Sequence, residues 1–381
     1  MSLNVVTLYA IILQKNTYFA TGGTAVNITF LIGNGFDVGV GMNSKFKDFF
    51  PIYQVKSIDK APEIRQLAEN IGEDHETWAD FESALGDYTE KFTAKTKGTL
   101  LSQVKDFEEE FISYLKDQEN LLAFEENKKE IENVMCTALF GYVTTETFSL
   151  GDFESLNNLY KGNSTGTFVH NFINFNYTNV LKKCLKYVPK NVISDNKYSN
   201  FHRDDKIGNI VHVHGDFSTY PIIGVNDISQ IKNKELASDP RFVKRFVKPT
   251  MNQNLKTNND AKAMSLINNS TIVCVYGMSF GKTDKKWWSK LIAWLSASSG
   301  RHLVIFSYDK DYKALTPYEK FDKEDSIIDL FDEYCANSSI NIEKIRDRIH
   351  IAIHKNIFEI DLMKQHNEVF DMAVEKVLAA K

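Results

Sequence analysis

Short and nearly continuous apolar runs recur along the chain. Seven of them are rich in β-branched and aromatic residues, at positions 28–32, 168–175, 210–213, 220–225, 271–276, 302–306 and 349–353. Apolar runs without polar alternation are typical of strands that are covered on both faces in a parallel sheet. We therefore predict seven strands in a mostly parallel sheet.

Helical spacing of apolar residues fills several of the intervals. Trp287, Leu291 and Trp294 mark one face of a predicted helix, and Gly300 follows as its predicted C-terminal cap. Residues from 361 to the end show the same periodicity and predict another helix. Strands that alternate with helices predict an α/β fold with a doubly wound sheet.

The stretch between about residues 54 and 165 has no strand pattern. Trp78, Phe81 and Leu85 recur there at helical spacing, which predicts helices only. We interpret residues 55–165 as a helical insertion, and residues 27–54 together with 166–381 as the α/β domain into which it is inserted. Residues 1–26 are interpreted as an N-terminal extension.

Composition narrows the class of protein. The 381 residues are 43% hydrophobic and 25% charged, which indicates a folded globular chain. The net charge of −5 gives no general attraction to nucleic acid, so a nucleic-acid partner is not expected. Lys244, Arg245 and Lys248 form a local basic group, which we interpret as a solvated face.

The cysteines and the apolar stretches indicate a cytoplasmic protein with no membrane partner. The four cysteines are widely spaced and form no CxxC pair, so buried thiols in a reducing compartment are expected. No apolar stretch reaches the 18 or so residues that a membrane-spanning helix needs.

The first predicted strand runs into a glycine-rich turn. The turn contains Gly33, Asn34, Gly35, Phe36 and Asp37. Glycines at a strand-to-helix turn let the backbone approach a phosphate closely, and the following helix offers free amide groups. We predict that these five residues bind a nucleotide, with an ordinary tight turn as the alternative. The helical insertion would then cover the nucleotide cleft.

Asparagines follow the second predicted strand, where ligands of an open parallel sheet bind. Three of them occur within residues 174–179. The side chain of Asn176 can hold a ribose hydroxyl or orient a water, since an amide both donates and accepts hydrogen bonds. The alternative is a helix cap, a role that Asn179 fits better than Asn176.

Two histidines end the next apolar run. His212 and His214 lie on one face of the predicted strand, and Gly215 ends it. We predict that His214 is a general base, because histidine titrates near neutral pH and this residue would face the cleft. Two alternatives stay open: both histidines lie in the core, or they bind a metal with a third ligand from elsewhere.

A second glycine-rich turn follows the run at 271–276. Gly277 and Ser279 are predicted to contact a ribose or phosphate. Asp284 either caps the following helix or contacts the ligand, and the pattern favours neither alternative.

Together these segments resemble the bacteriophage abortive-infection AbiH family. The resemblance rests on LIGNGFD, WADFE at residues 78–82, NFNYTN, HVHG and GMSFGKTD, in that order. The family in turn resembles sirtuin-like defence proteins with a Rossmann-like NAD site. That similarity implies NAD contacts at Gly33, Gly35, Asp37, Gly277 and Ser279.

The resemblance also implies catalytic roles for Asn176 and His214 and antiphage activity through NAD hydrolysis without a metal. The zinc ribbon of sirtuins, with its paired CxxC motifs, is absent, which argues against protein deacetylation. The alternative is a non-catalytic nucleotide sensor in phage defence. The expected partners are the nucleotide, a phage-derived trigger and further copies of the chain.

Overall fold

A seven-stranded sheet lies at the centre of the computed structural model, which describes residues 25–163, 166–192, 203–279, 284–335, 340–354 and 356–363. The strands are β1 (Val26–Ile32), β2 (Thr167–Asn174), β3 (Asn191–Val192), β4 (Asp204–His212), β5 (Ile272–Tyr276), β6 (His302–Tyr308) and β7 (Ile349–His354). Their order across the sheet is β3-β4-β2-β1-β5-β6-β7. All pairs are parallel except the short edge pair of β3 with β4.

The strand order places a topological switch point between β1 and β5. From β1 the chain moves outward through β2 to β4 and then returns to β5 on the other side of β1. Without β3, this order is the one found in doubly wound dinucleotide-binding sheets. The predicted α/β class with a mostly parallel sheet is confirmed. Ligands of such sheets bind beyond the carboxyl ends of the strands next to the switch point.

Six of the seven predicted strands are confirmed, with shifted ends, and the strand predicted at residues 220–225 is wrong. That stretch is irregular and forms only an isolated bridge between Val225 and Val247. Ile222 and Ile223 are nevertheless buried. Their apolar run therefore reflects burial without sheet pairing, two properties that a continuous pattern does not separate.

Fourteen α-helices occur in the described ranges. They are α1 (Gly35–Gly39), α2 (Phe46–Lys56), α3 (Pro62–Glu73), α4 (Phe81–Tyr88), α5 (Lys97–Asn120), α6 (Lys128–Phe140), α7 (Leu150–Gly162), α8 (Val180–Leu185), α9 (Lys234–Ala237), α10 (Pro240–Phe246), α11 (Lys248–Asn254), α12 (Asn259–Asn268), α13 (Lys285–Ser296) and α14 (Pro317–Cys335). Helix α13 ends before Gly300, at the C-cap Ala297. Most of the helix predicted after residue 361, and residues 1–24, lie outside the described residues.

Helices cover both faces of the sheet. Phe30 and Ile32 of β1 point to one face, where they belong to a core cluster that also contains Phe107 of α5. Leu31 points to the opposite face and belongs to a second cluster with Trp288 of α13. Helices α1–α7 follow one another between β1 and β2, and their side chains share a core with the sheet. The exact domain boundaries stay a prediction.

The four cysteines lie in these cores. Cys136, Cys184, Cys274 and Cys335 are all free thiols and all buried. The expectation of buried thiols is therefore confirmed. A thiol in an apolar core behaves as a small hydrophobic side chain.

Candidate functional site

A cavity of about 600 Å³ opens beyond the carboxyl ends of β1, β2, β4 and β5. Four segments that are distant in the sequence meet there. The cavity is lined by eight of the ten predicted site residues, namely Gly33, Asn34, Asp37, Asn176, His214, Gly277, Ser279 and Asp284. Gly35 and Phe36 are not among the lining residues. The start of α4 and side chains of α5 close the cavity from the helical stretch between β1 and β2.

The two glycine-rich turns pack against each other, backbone to backbone. A Cβ atom on Gly33 would lie 2.5 Å from the carbonyl oxygen of Gly277, so no larger residue fits there. The amide of Gly33 donates to the carbonyl of Tyr276 (2.9 Å), that of Gly35 to Gly277 (2.9 Å) and that of Phe36 to Gly33 (3.0 Å). These three amides are therefore engaged within the protein. The predicted phosphate contact through them does not fit this arrangement.

Asn34 and Phe36 have structural contacts within the same turn. The side chain of Asn34 holds the loop before α2, because its Oδ1 accepts from Ser44 Oγ (2.7 Å) and its Nδ2 donates to the Ser44 carbonyl (3.3 Å). Phe36 is fully buried and packs edge-on against Phe358, with ring centroids 5.2 Å apart. Phe36 is thus a core residue beside the site, whereas Asn34 shapes the wall of the cavity.

Asp37 is a buried carboxylic acid whose side chain contributes to the cavity wall. Its side chain is 1% exposed, and its Oδ2 accepts a hydrogen bond from Thr178 Oγ1 (2.6 Å). Its Oδ1 has no hydrogen-bond partner among the described residues. Burial raises the pKa of Asp37 to about 7, although the hydroxyl of Thr178 and the amide of Asn176 oppose this rise. Oδ1 is also closed to solvent, so a ligand hydroxyl would have to displace part of the cavity wall to bind it.

Asn176 connects the tips of β1 and β2. Its Nδ2 donates to the carbonyl of Gly33 (3.2 Å), and its backbone amide donates to Asn174 Oδ1 (3.1 Å). The carbonyl of Asn176 lies 3.3 Å from His212 Nδ1. These bonds fix the side chain at the cavity wall close to Asp37. His212, in contrast, does not line the cavity.

His214 is buried between aromatic rings at the end of the cavity. Its ring centroid lies 5.8 Å from that of Phe175 and 6.1 Å from that of Tyr177. Burial and the nearby ammonium of Lys248 hold the pKa of His214 well below its usual value. The expectation that His214 titrates near neutral pH is therefore wrong. Its imidazole is neutral and is a weaker base than predicted.

Lys248 is buried and not part of a solvated face, which corrects the interpretation of the basic group at residues 244–248. It is 2% exposed and forms an ion pair with Glu82 of α4. Burial alone would lower the pKa of Lys248, but the Glu82 carboxylate together with Tyr177 and Asp284 raises it above its usual value. Glu82 lines the cavity, and its Oε2 has no partner among the described residues. Nothing in the sequence pattern beyond the WADFE segment indicated this pair.

Asp284 lies next to this ion pair. It occupies the N-cap position of α13, but its side chain makes no capping hydrogen bond. Of the two alternatives for Asp284, the structure favours a place in the cavity wall over capping. Burial and the carboxylate of Glu82 raise its pKa to about 7, and Lys248 partly opposes them. Ser279 is exposed at the rim of the cavity.

The described part of the chain lacks a metal-binding cluster and a membrane-spanning helix. It contains no group of three or more His, Cys, Asp or Glu side chains that could hold a metal ion. No helix in those ranges is long and apolar enough to cross a membrane.

Comparison with known families identifies the chain. The model of the family described as "Bacteriophage abortive infection AbiH" matches residues 29–308. This match covers well over half of the chain and includes every residue of the candidate site. A search among curated proteins finds no match. The chain therefore belongs to the AbiH family, whose description implies a role in abortive infection by bacteriophage.

Proposed function

We propose that this member of the AbiH family defends against bacteriophage by binding NAD in the cavity and hydrolysing the bond between nicotinamide and ribose. The observation that supports this proposal most is that Asp37, whose buried Oδ1 has no hydrogen-bond partner among the described residues, lines the same cavity as Asn176 and His214. The cavity lies beside the switch point of the parallel strands, a place where nucleotides bind in many proteins. Fold alone does not assign an activity, so the proposed activity depends on the side chains in the cavity.

In the proposed reaction, Asp37 accepts a hydrogen bond from a ribose hydroxyl and Asn176 positions the nicotinamide ribose. The bond between C1′ of the ribose and the pyridinium nitrogen breaks, and nicotinamide leaves with the electron pair. Positive charge then develops on the ribose, and buried carboxylates stabilise such charge. Water adds to C1′, which yields ADP-ribose, and its proton goes to a base in the cavity.

The pKa values of His214 and Asp37 indicate which of them acts as the base and which orients the water. His214 is neutral and can accept a hydrogen bond from the attacking water. Asp37, with a pKa of about 7, is the stronger proton acceptor at neutral pH. A transition state with oxocarbenium character needs little help from a base, so the main tasks of the protein are positioning and electrostatics.

A second candidate function is a non-catalytic nucleotide sensor. The low pKa of His214 favours this alternative, because a buried imidazole that stays neutral can hydrogen-bond a ligand but is a poor proton acceptor. In that case the cavity binds the nucleotide, and the output passes to a partner or to further copies of the chain.

Nicotinamide release separates the two functions. Purified protein is incubated with NAD⁺, and nicotinamide is quantified by chromatography for the wild type, Asn176→Ala, His214→Ala and Asp37→Asn. We expect each substitution to reduce turnover by about 10² to 10⁴. Asn269→Ala and His75→Ala, at exposed positions that do not line the cavity, are matched controls.

The outcomes are distinct. Saturable nucleotide binding without nicotinamide release supports the sensor. Turnover that survives all three substitutions rejects the assigned residues. A negative result is repeated in lysate from phage-infected cells, because an effector of abortive infection is expected to need a trigger. Absence of both binding and release there rejects the NAD proposal.

A further inference from the structure

Most of the charged residues that line the cavity differ in burial according to their sign, and the exception is Asp80, an exposed acid at the N-cap of α4. Among the described residues, the lining cations are Lys45 and Lys47, and both are exposed. Asp37 is buried, and Glu82 and Asp284 are half-buried. Apart from Asp80, the cavity therefore presents positive charge to a ligand at its solvent side and negative charge at its inner side.

Two carboxylate oxygens on the inner side lack partners. They are Asp37 Oδ1 and Glu82 Oε2, and each is buried without a hydrogen bond in the described part of the chain. An unpaired buried carboxylate oxygen costs free energy that a ligand donor or cation can recover. Asp37 is 1% exposed and lines the cavity, so it is independent evidence that a ligand belongs there.

We call Glu82 and Asp284 the carboxylate wall. When both are ionised, their two negative charges exceed the single positive charge of the neighbouring Lys248. The ammonium of Lys248 faces Glu82 from the side of a second, much smaller cavity and neutralises one of the two carboxylates. The other carboxylate has no ion pair of its own among the described residues. A positively charged group in the cavity would provide the missing counter-charge.

We propose that the cavity selects nucleotides whose base carries a positive charge, such as the pyridinium ring of NAD⁺, over nucleotides with a neutral ring. The carboxylate wall faces the charged ring, and Lys45 and Lys47 receive the phosphates at the solvent side. The bonds between Asn34 and Ser44 hold the backbone in front of Lys45 against the turn. The inference rests on the proposed function, because it assumes that the cavity binds a nucleotide.

This selectivity depends on pH. The groups that act on Asp284 are Glu82 and Asp80 at the start of α4, and Lys248 of α11. Tyr334 of α14 also interacts with the Asp284 charge. A cationic ring favours ionised Asp284, so its binding releases a proton wherever the acid is protonated beforehand. The affinity for the cation therefore rises with pH up to about 7, the pKa of Asp284, and levels off above it.

Calorimetric titration of the whole chain tests the proposal. The ligands are carba-NAD⁺, in which a methylene group replaces the ribose ring oxygen so that the nicotinamide bond resists hydrolysis, its neutral dihydro form, and ADP-ribose. At pH 8 we expect carba-NAD⁺ to bind about tenfold more tightly than the dihydro form, an effect of one partly screened charge pair. At pH 6 the ratio falls towards one.

Three variants test which residues cause the selectivity for the cationic ring and its pH dependence. Asp284→Asn keeps the shape of the side chain and is expected to remove most of the preference for the cation and part of its pH dependence, since Asp37 in the same cavity also has a pKa of about 7. Lys45→Ala combined with Lys47→Ala is expected to weaken all three ligands by a similar factor, less so at high salt. Asp311→Asn, at an exposed site that does not line the cavity, is the matched control.

Failure of this inference differs from failure of the proposed function. Equal affinity for the charged and neutral rings at pH 8, or a preference unaffected by Asp284→Asn, overturns the inference while nucleotide binding stands. Absence of binding by all three ligands overturns the nucleotide site itself, and the inference with it.

Discussion

The amide of Gly35 donates a 2.9 Å hydrogen bond to the carbonyl oxygen of Gly277, and this bond joins the turns that follow β1 and β5. The two turns lie at the switch point of the sheet. Their contact leaves no room for side chains, so the glycines are required by the packing of the backbone. The floor of the candidate site therefore depends on a contact that involves no ligand.

The substitution Gly277→Ala should destabilise the protein strongly. Gly277 has a φ of +69°, and a Cβ atom there would lie 2.8 Å from the Cα of Gly35. We expect a loss of about 2 to 4 kcal/mol in the free energy of unfolding, from left-handed strain and the backbone clash. Denaturant unfolding measures this loss.

The matched control for Gly277→Ala is Gly98→Ala in α5. A Cβ atom on Gly98 meets no neighbouring atom within 4 Å. Alanine there should stabilise the helix by about 0.5 to 1 kcal/mol. Equal effects of the two substitutions would contradict the structural role of Gly277.

Asp37→Asn should stabilise the free protein at alkaline pH. The folded-state pKa of Asp37 is about 7, against 3.8 for the ordinary side chain, so the folded state holds the proton more tightly. The contribution of Asp37 to the free energy of unfolding therefore falls as pH rises from about 4 to 7 and stays constant above 7. We expect Asp37→Asn to gain about 2 to 4 kcal/mol at pH 8 and little at pH 4.

Thermal unfolding across pH 4 to 8 tests the effect of Asp37→Asn. Asparagine can still accept the hydrogen bond from Thr178, so the substitution removes mainly the titrating charge. Asp311→Asn, which is exposed, should leave the pH profile of the melting temperature unchanged. A gain of the same size at pH 4 and pH 8 would show that Asp37 does not titrate in this range.

Removal of Lys248 alone should cost more than removal of the whole ion pair. Lys248→Met leaves the largely buried carboxylate of Glu82 without its counter-charge, which we expect to cost about 2 to 4 kcal/mol of unfolding free energy. The double variant with Glu82→Gln should recover most of this loss. A double-mutant cycle by denaturant unfolding measures the coupling.

Lys244→Met is the control for this ion pair, since Lys244 is exposed on the neighbouring helix. It should change stability by less than about 0.5 kcal/mol. If Lys244→Met and Lys248→Met have the same small effect, Lys248 is solvated as the sequence pattern suggested, and the carboxylate wall loses its buried cation.

Phe107→Ala should destabilise the sheet together with the helices between β1 and β2. Phe107 is fully buried and stacks on Phe81 with ring centroids 4.1 Å apart, in the same core cluster as Phe30 of β1. We expect a loss of about 3 to 5 kcal/mol in a single cooperative transition. Phe321→Ala, at an exposed position, is the control. Two separate transitions in the Phe107 variant would indicate that the helical stretch unfolds on its own.

Much of the fold could be predicted because strands that are buried on both faces appear in the sequence as continuous apolar runs. Continuous β-branched runs indicate strands such as β1 and β5, and the end of each run locates a strand tip. The run at 220–225 shows the limit, since Ile222 and Ile223 are buried beneath irregular chain. Apolar character reports burial, whereas sheet pairing depends on partners elsewhere in the chain.

The residues at the strand tips can be identified from the sequence, because glycine, asparagine and histidine motifs interrupt the apolar runs at those points. Their contacts depend on how distant segments pack together. In the folded protein the amide of Gly35 donates to Gly277, and Lys248 is buried against Glu82. Burial and Lys248 also lower the pKa of His214. The physical reason is that burial, and the charges brought near by distant segments, set hydrogen bonding and protonation, and neither is encoded in local spacing.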